Sequence, residues 1–239
     1  MSLTQNILAK TAELSEVDVT YQNTSDFNYI DTLDTNCSAI VMEATVIYFE
    51  IKNIPLLLKT GKRLAARMYK IYYNALQEIC KSTGGYFSCD SPCSFLMIYP
   101  KHNHNVSYVV DVAVKTATLF CTTLRETIEK NSHLSFSMGI DYGNILGTKT
   151  IENEKFTHVA WFSPDIEKAK TIARECQRPF FVGISGTVFH HLDDSLKKTS
   201  KRILGIKKEV DIWNRVSYEF DNVKKHLYQT NFQKPFEEA

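Results

Sequence analysis

Met138-Gly139-Ile140-Asp141-Tyr142-Gly143-Asn144-Ile145-Leu146-Gly147 is the stretch on which the reading of the fold turns. Just upstream and within it, Leu134, Phe136, Met138 and Ile140 alternate, the period of a strand with one covered face. Gly143 and Gly147 bracket Asn144-Ile145-Leu146, which reads as a turn leading into another short strand. After polar residues 150–156, Thr157 to Phe162 reads as a strand, and Pro164 stands near the start of a helix with Ile166, Ala169, Ile172 and Ala173 inward. Pro179 precedes a strand from Phe180 to Ile184, and Ser185 caps a short helix through Leu192. Residues 193–209 are charged and read as irregular. Val210 to Phe220 reads as a closing strand pair or one long bent strand, and the tail from Asn222 as polar, helical or frayed.

Upstream, Ile40 to Ile51 is dense in Val, Ile, Tyr and Phe, enough for a central strand covered on both faces. Pro55 can open a helix that runs past Leu58, and Gly61 interrupts it. Lys62 to Lys81 then carries Leu64, Met68, Ile71, Ala75, Leu76 and Ile79 as one stripe of a long helix, which Gly84 and Gly85 end. Tyr86 to Cys89 and Ser94 to Tyr99 flank Asp90-Ser91-Pro92-Cys93, a hairpin by its turn composition. Val106 to Lys130 is a second long helix, with Val109, Val110, Ala113, Ala117, Phe120, Leu124 and Ile128 inward. Residues 1–38 read as an extension with a short helix from Ser2 to Leu14, residues 39–220 as one domain, and residues 221–239 as a tail. The order predicts an α+β sandwich: a mainly antiparallel sheet with two long helices on one face.

Composition excludes several classes. Lys plus Arg total 28 and Asp plus Glu 27, a net charge of +1, so the basic excess of a nucleic-acid binder is missing. No apolar run approaches membrane-spanning length and no leader pattern opens the chain, so the expectation is a cytoplasmic protein without membrane insertion. The six cysteines read as buried thiols, because Cys89 and Cys93 lack zinc spacing and a second close pair. His102, His104, His190 and His191 have no acidic or thiol partners at diagnostic spacing.

This order of elements, with Ala44-Thr45-Val46-Ile47-Tyr48-Phe49-Glu50-Ile51, Gly84-Gly85 and Met138 to Gly147, resembles the class III adenylyl and guanylyl cyclase catalytic domain, with its ferredoxin-like core, over roughly residues 39–192. The resemblance implies a head-to-tail dimer with sites built across the interface. In that family two aspartates of one subunit hold two metals. The other subunit supplies base-reading residues, an asparagine, and an arginine that steadies the phosphorus. Cyclisation develops charge on phosphoryl oxygens, which metals and cationic donors must offset.

Carried over residue by residue, the family pattern is eroded. The first metal carboxylate falls on Glu50, longer than aspartate by one methylene. The second falls on Cys93, after Pro92 at a glycine position, and a thiol gives Mg²⁺ little. The base-reading lysine falls on Cys89 and its acidic counterpart on Ala160. The asparagine position holds Glu167 and the arginine position Thr171, a neutral hydroxyl where charge must be offset. Asp90 and Arg174 are the candidate substitutes. The leading expectation is thus an inactive or strongly impaired cyclase-homology domain acting as a structural or regulatory homodimer, with no cofactor and with an unidentified protein partner compatible. Two alternatives stay open: a divergent nucleotidyl cyclase using Mg²⁺ or Mn²⁺, with a non-purine base preference compatible with Cys89 and Ala160, and a nucleotide-binding module without turnover.

Overall fold

The computed structural model describes residues 2–24, 26–34, 37–53, 55, 58–59, 61–91, 93–131, 135–153, 156–176, 179–203 and 206–231. In chain order these form α1 (Leu3–Ser15), β1 (Thr20–Asn23), α2 (Tyr29–Thr32), β2 (Ser38–Lys52), α3 (Lys62–Ser82), β3 (Tyr86–Ser91), β4 (Ser94–Pro100) and α4 (Val106–Asn131). There follow β5 (Ser135–Asn153), β6 (Phe156–Phe162), α5 (Pro164–Glu175), β7 (Val182–Ser185), α6 (Gly186–His191), α7 (Asp194–Lys197), β8 (Lys198–Ile203), β9 (Ile206–Asp211), β10 (Asn214–Phe220) and β11 (Val223–Thr230).

β2 is the spine of the sheet because its β-branched and aromatic residues fill both faces. Ile47, Phe49 and Ile51 point to one side, where Met68, Tyr72, Leu76 and Cys80 of α3 and Val110, Ala113, Ala117 and Phe120 of α4 bury them. Phe49 anchors that side, with ring centroids 5.0 Å from Phe120, 5.3 Å from Phe136 and 5.6 Å from Tyr72. Met42, Ala44, Val46 and Tyr48 point to the other side, against Ile166, Ala169 and Ala173 of α5. The two long helices therefore share one face, as the periodicity predicts, and α5 covers the opposite one.

The strands run in the order β10-β11-β7-β5-β2-β4-β3, with β1 beside β2 and β6 beside β5; β8 and β9 form a separate two-stranded sheet. Among the described residues only β1–β2 and β5–β7 pair in parallel, and the sheet is mainly antiparallel. α3 ends where Gly84 takes φ 76°, with the amides of Thr83, Gly84 and Gly85 returning to Ile79, Lys81 and Cys80. α5 starts at Ser163, whose hydroxyl oxygen accepts from the amides of Asp165 (2.9 Å) and Ile166 (3.0 Å), with Pro164 in the first turn.

Three readings need correction. Asn144-Ile145-Leu146 is not a turn: β5 runs unbroken, with Asn144 opposite Glu43, Ile145 opposite Met42 and Leu146 opposite Val41. The described residues of 193–209, read as irregular, hold α7, β8 and the start of β9, which pairs with β8. Val223 to Thr230, read as part of a helical or frayed tail, instead form β11, which lies inside the sheet between β10 and β7 and buries Leu227, Gln229 and Thr230, while residues 232–239 lie outside the described residues. The sheet also reaches below residue 39, since Thr20 to Asn23 pair with Ser38 to Val41. Pro92 and Leu134, and most of the helix read from Pro55, lie outside the described residues, as do the side chains of Leu124 and Ile128. All six cysteines are free, with Cys80, Cys121 and Cys176 buried.

Candidate functional site

The register of β2 builds the candidate site at its C-terminal end. Antiparallel partners project to the same face, so Glu50 shares the α5 side with Ser94 and Ser137. The amide of Ile51 donates to the carbonyl of Cys93 at 2.8 Å, tying the β3–β4 turn to this end of the strand. The two positions that the sequence resemblance leads one to expect as metal ligands, Glu50 and Cys93, thus come to the same end of the sheet.

Glu50 Oε1 faces Arg174 Nε at 3.8 Å, from the last turn of α5. The Cys93 thiol is pushed up, first by burial and then by the negative charge of Glu50, which keeps it protonated near neutrality. Asp90 sits across Ser94 from Glu50: its Oδ2 accepts from Tyr48 Oη (3.0 Å) and Ser94 Oγ (3.2 Å). Burial, followed by the charge of Asp90, pushes the Tyr48 phenol upward, so it stays a donor. Both candidate substitutes, Asp90 and Arg174, are therefore brought to the same end of the sheet as Glu50.

The other positions are not assembled within one chain. Cys89 packs on the α3 side, its sulfur 3.8 Å from the Tyr69 hydroxyl and 3.3 Å from the Ser91 carbonyl. Ala160 lies opposite Thr148, toward the far end of β5 from Ser137. Glu167 turns outward and meets Lys170 Nζ at 3.6 Å. Thr171 Oγ1 donates to the Glu167 carbonyl at 2.9 Å and so spends its hydrogen on its own helix.

Two cations near the site were not anticipated. Lys52 Nζ donates to the carbonyls of Ala173 (3.1 Å), Arg174 (3.2 Å) and Cys176 (2.9 Å), closing the C-terminus of α5 where the helix dipole favours a cation. Burial lowers its pKa, opposed by Glu50. Lys170 Nζ lies 5.5 Å from the centre of the Tyr48 ring. The sequence signal for both is spacing: Lys52 is two residues from Glu50 on the same strand face, and Lys170 is four before Arg174 on the helix.

A second buried cluster lies further along α5. Asp141, fully buried on β5, meets Lys168 Nζ at 2.5 Å and accepts from the hydroxyl of Ser185. Asp165 approaches the same ammonium at 4.0 Å. Burial pushes Asp141 up, and Lys168 and the Ser185 hydroxyl only partly oppose it.

Mg²⁺ and Mn²⁺ take oxygen donors in tight geometry. Here Glu50 is a carboxylate facing a guanidinium and Cys93 a protonated thiol, while Asp90 is held by two hydroxyls. This donor set does not fit a metal pair. Among the described residues no group of three or more His, Cys, Asp or Glu could hold a metal ion, His102, His104, His190 and His191 included.

The sequence matches no protein-family model and no curated protein. Its fold matches solved structures. The adenylyl cyclase CyaB from P. aeruginosa superposes with a TM-score of 0.64 at 12% identity, over 82% of this chain and 97% of that one. A class III adenylyl cyclase-like ATP-binding protein from Pseudomonas aeruginosa gives 0.67 at 15%, over 81% and 44%. The guanylate cyclase domain of RhGC from Catenaria anguillulae, in complex with GTP, gives 0.57 at 14%, over 81% and 98%. The chain has the fold of the class III nucleotidyl cyclase domain. Among the described residues no helix is long and apolar enough to cross a membrane.

Proposed function

We propose that this chain is a cyclase-homology domain without cyclase activity that works as a homodimer, in a structural or regulatory role. One observation carries the reading: the retained carboxylate, Glu50, faces Arg174, and its family partner is the protonated thiol of Cys93. The ion pair itself is half exposed and worth at most about 1 kcal/mol. Its significance is chemical, since it places a side-chain cation where the family places metal. The changes at Cys89, Ala160, Glu167 and Thr171 remove the partner half of the site as well. Neither half is complete, so pairing with an active subunit would not restore one. The fold keeps its core regardless, because polar cleft residues seldom supply stability. The homodimer rests on the fold, which is similar to that of a non-canonical dimeric guanylyl cyclase domain from the aquatic fungus Blastocladiella emersonii. The domain division into residues 1–38, 39–220 and 221–239 is kept as a proposal for function, although β1 and β11 join the sheet from outside the middle segment.

A second reading has its own support. One structural relative is a cyclase-like ATP-binding protein, and Arg174, Lys170 and Lys52 gather cations at the α5 end of the cleft. A triphosphate held there by side-chain cations would make this a nucleotide-binding module without turnover.

The purified protein is expected to form no cyclic nucleotide above background from ATP, GTP, CTP or UTP with Mg²⁺ or Mn²⁺. Each lost transition-state donor costs about 10²–10³ in rate. Product that disappears in Glu50→Ala would overturn the assignment in favour of a divergent cyclase. Light scattering should give the mass of a dimer at micromolar concentration. Binding heat with ATP, undiminished without divalent metal, would select the second reading.

A further inference from the structure

Away from the cleft, charge is unevenly distributed along α3. From Lys59 to Gln77 the sequence holds Lys59, Lys62, Arg63, Arg67 and Lys70 and neither Asp nor Glu, in a chain of net charge +1. Arg63, Arg67 and Lys70 recur at helical spacing, and with Ala66, Ile71 and Asn74 they line an open groove of about 420 Å³. The opposite face of the helix is committed, since Met68, Tyr72, Leu76 and Cys80 are buried in the core. Among the described residues none of the five cations has an ion-pair partner. Lys62 and Arg63 stand in a first turn that has no acidic residue, at the positive end of the helix dipole. Local stability does not favour cations there. Leu58, just before this stripe, is 57% exposed.

We propose that this face of α3 docks the protein on an anionic phospholipid surface. Clustered Lys and Arg on one side of an amphipathic helix attract acidic headgroups, and their alkyl stems lie along the interface while the charges reach the phosphates. Ala66, Ile71 and the exposed Leu58 add shallow apolar contact. None of the six residues lining the groove is aromatic, so single-stranded nucleic acid would find no stacking platform. A lipid layer, laterally mobile, can match a stripe of charges without preset geometry, which a rigid acidic protein cannot.

The test is cosedimentation of the full chain with vesicles of phosphatidylcholine alone and of phosphatidylcholine containing phosphatidylserine, at low and high salt. Binding should require phosphatidylserine and weaken as salt rises. The variant R63Q/R67Q/K70Q, changed only at exposed positions, should keep its thermal melt and lose about a hundredfold in partitioning. Equal binding to both vesicles, or undiminished binding by the variant, would overturn the proposal. So would capture by polyglutamate or single-stranded RNA without vesicle binding, which would assign the stripe to an acidic protein or a nucleic acid instead.

Discussion

Gly139→Ala is expected to lower folding stability by about 3 kcal/mol or more, measured by chemical denaturation. A β-carbon at Gly139 would overlap the carbonyl oxygen of Ala169 and lie 2.6 Å from the amide nitrogen of Ala173. Both are backbone atoms of α5, so no side chain can swing away. The helix would have to lift off the sheet, uncovering Val46 and Tyr48. Gly186→Ala is the control: its nearest neighbour would be the His226 carbonyl at 3.9 Å, and the change should be close to neutral. Equal stability of the two variants would mean that α5 does not rest on β5 as described.

Lys168→Met should cost about 3–5 kcal/mol at neutral pH, because it strands the buried charge of Asp141. The pH dependence follows from the raised pKa of that carboxyl. In the native state Asp141 holds its proton over a range in which the unfolded chain has lost it. Stability is therefore greatest below the ordinary carboxylate range and declines as pH rises to the native value. Without Lys168 the native value rises further, the decline continues to higher pH, and acid should partly rescue the variant. Asp165, Lys225 and the Tyr218 phenol surround the same cluster and are left in place. Lys168→Met/Asp141→Asn removes both charges and should recover most of the loss, read from denaturation midpoints between mildly acidic and neutral pH. A double variant as weak as the two single losses combined would show that packing, not charge, is what Lys168 supplies.

Periodicity made the helices legible. The stripe of Met68, Leu76 and neighbours on α3, and that of Ala169, Ile172 and Ala173 on α5, mark buried faces whose partners need not be known. The glycines of β5 misled, because a glycine that turns the chain and one that admits a neighbour look alike in sequence. Gly143 is small because the Asp165 carboxylate occupies the place of its β-carbon, and Gly147 because the Trp161 ring lies 2.5 Å from it. Neither bends the strand. β11 escaped notice because Lys224, Lys225 and His226 precede its buried Leu227, so its alternation is short. The hairpin of β8 and β9 stands off the main sheet and has too little apolar patterning to declare itself.

At the site, Glu50 at the end of its strand and Cys93 in the adjoining hairpin turn do meet at one end of the sheet, since hairpin length is fixed locally. Spacing puts Lys52 on the face of Glu50 and Lys170 one helical turn before Arg174, but what they touch depends on how α5 crosses β2, and what Tyr48 donates to depends on the β3–β4 hairpin, tertiary relations that no local pattern encodes. Asp141 stood in the quoted stretch as an unremarked residue; only burial beneath α5 makes it a charge that must be answered by Lys168.

The register of β2 against β5, running from Ala39 opposite Thr148 to Lys52 opposite Ser135, also has a temporal side. β2 is synthesised before β4, which covers one of its edges. The other edge stays bare until the chain has grown past Thr148. Pairings so distant in sequence form slowly, and an apolar edge left open in the meantime offers its backbone to any other strand. The vulnerable period of this protein is therefore its own synthesis and refolding, and its length is set by the two long helices that separate the partners.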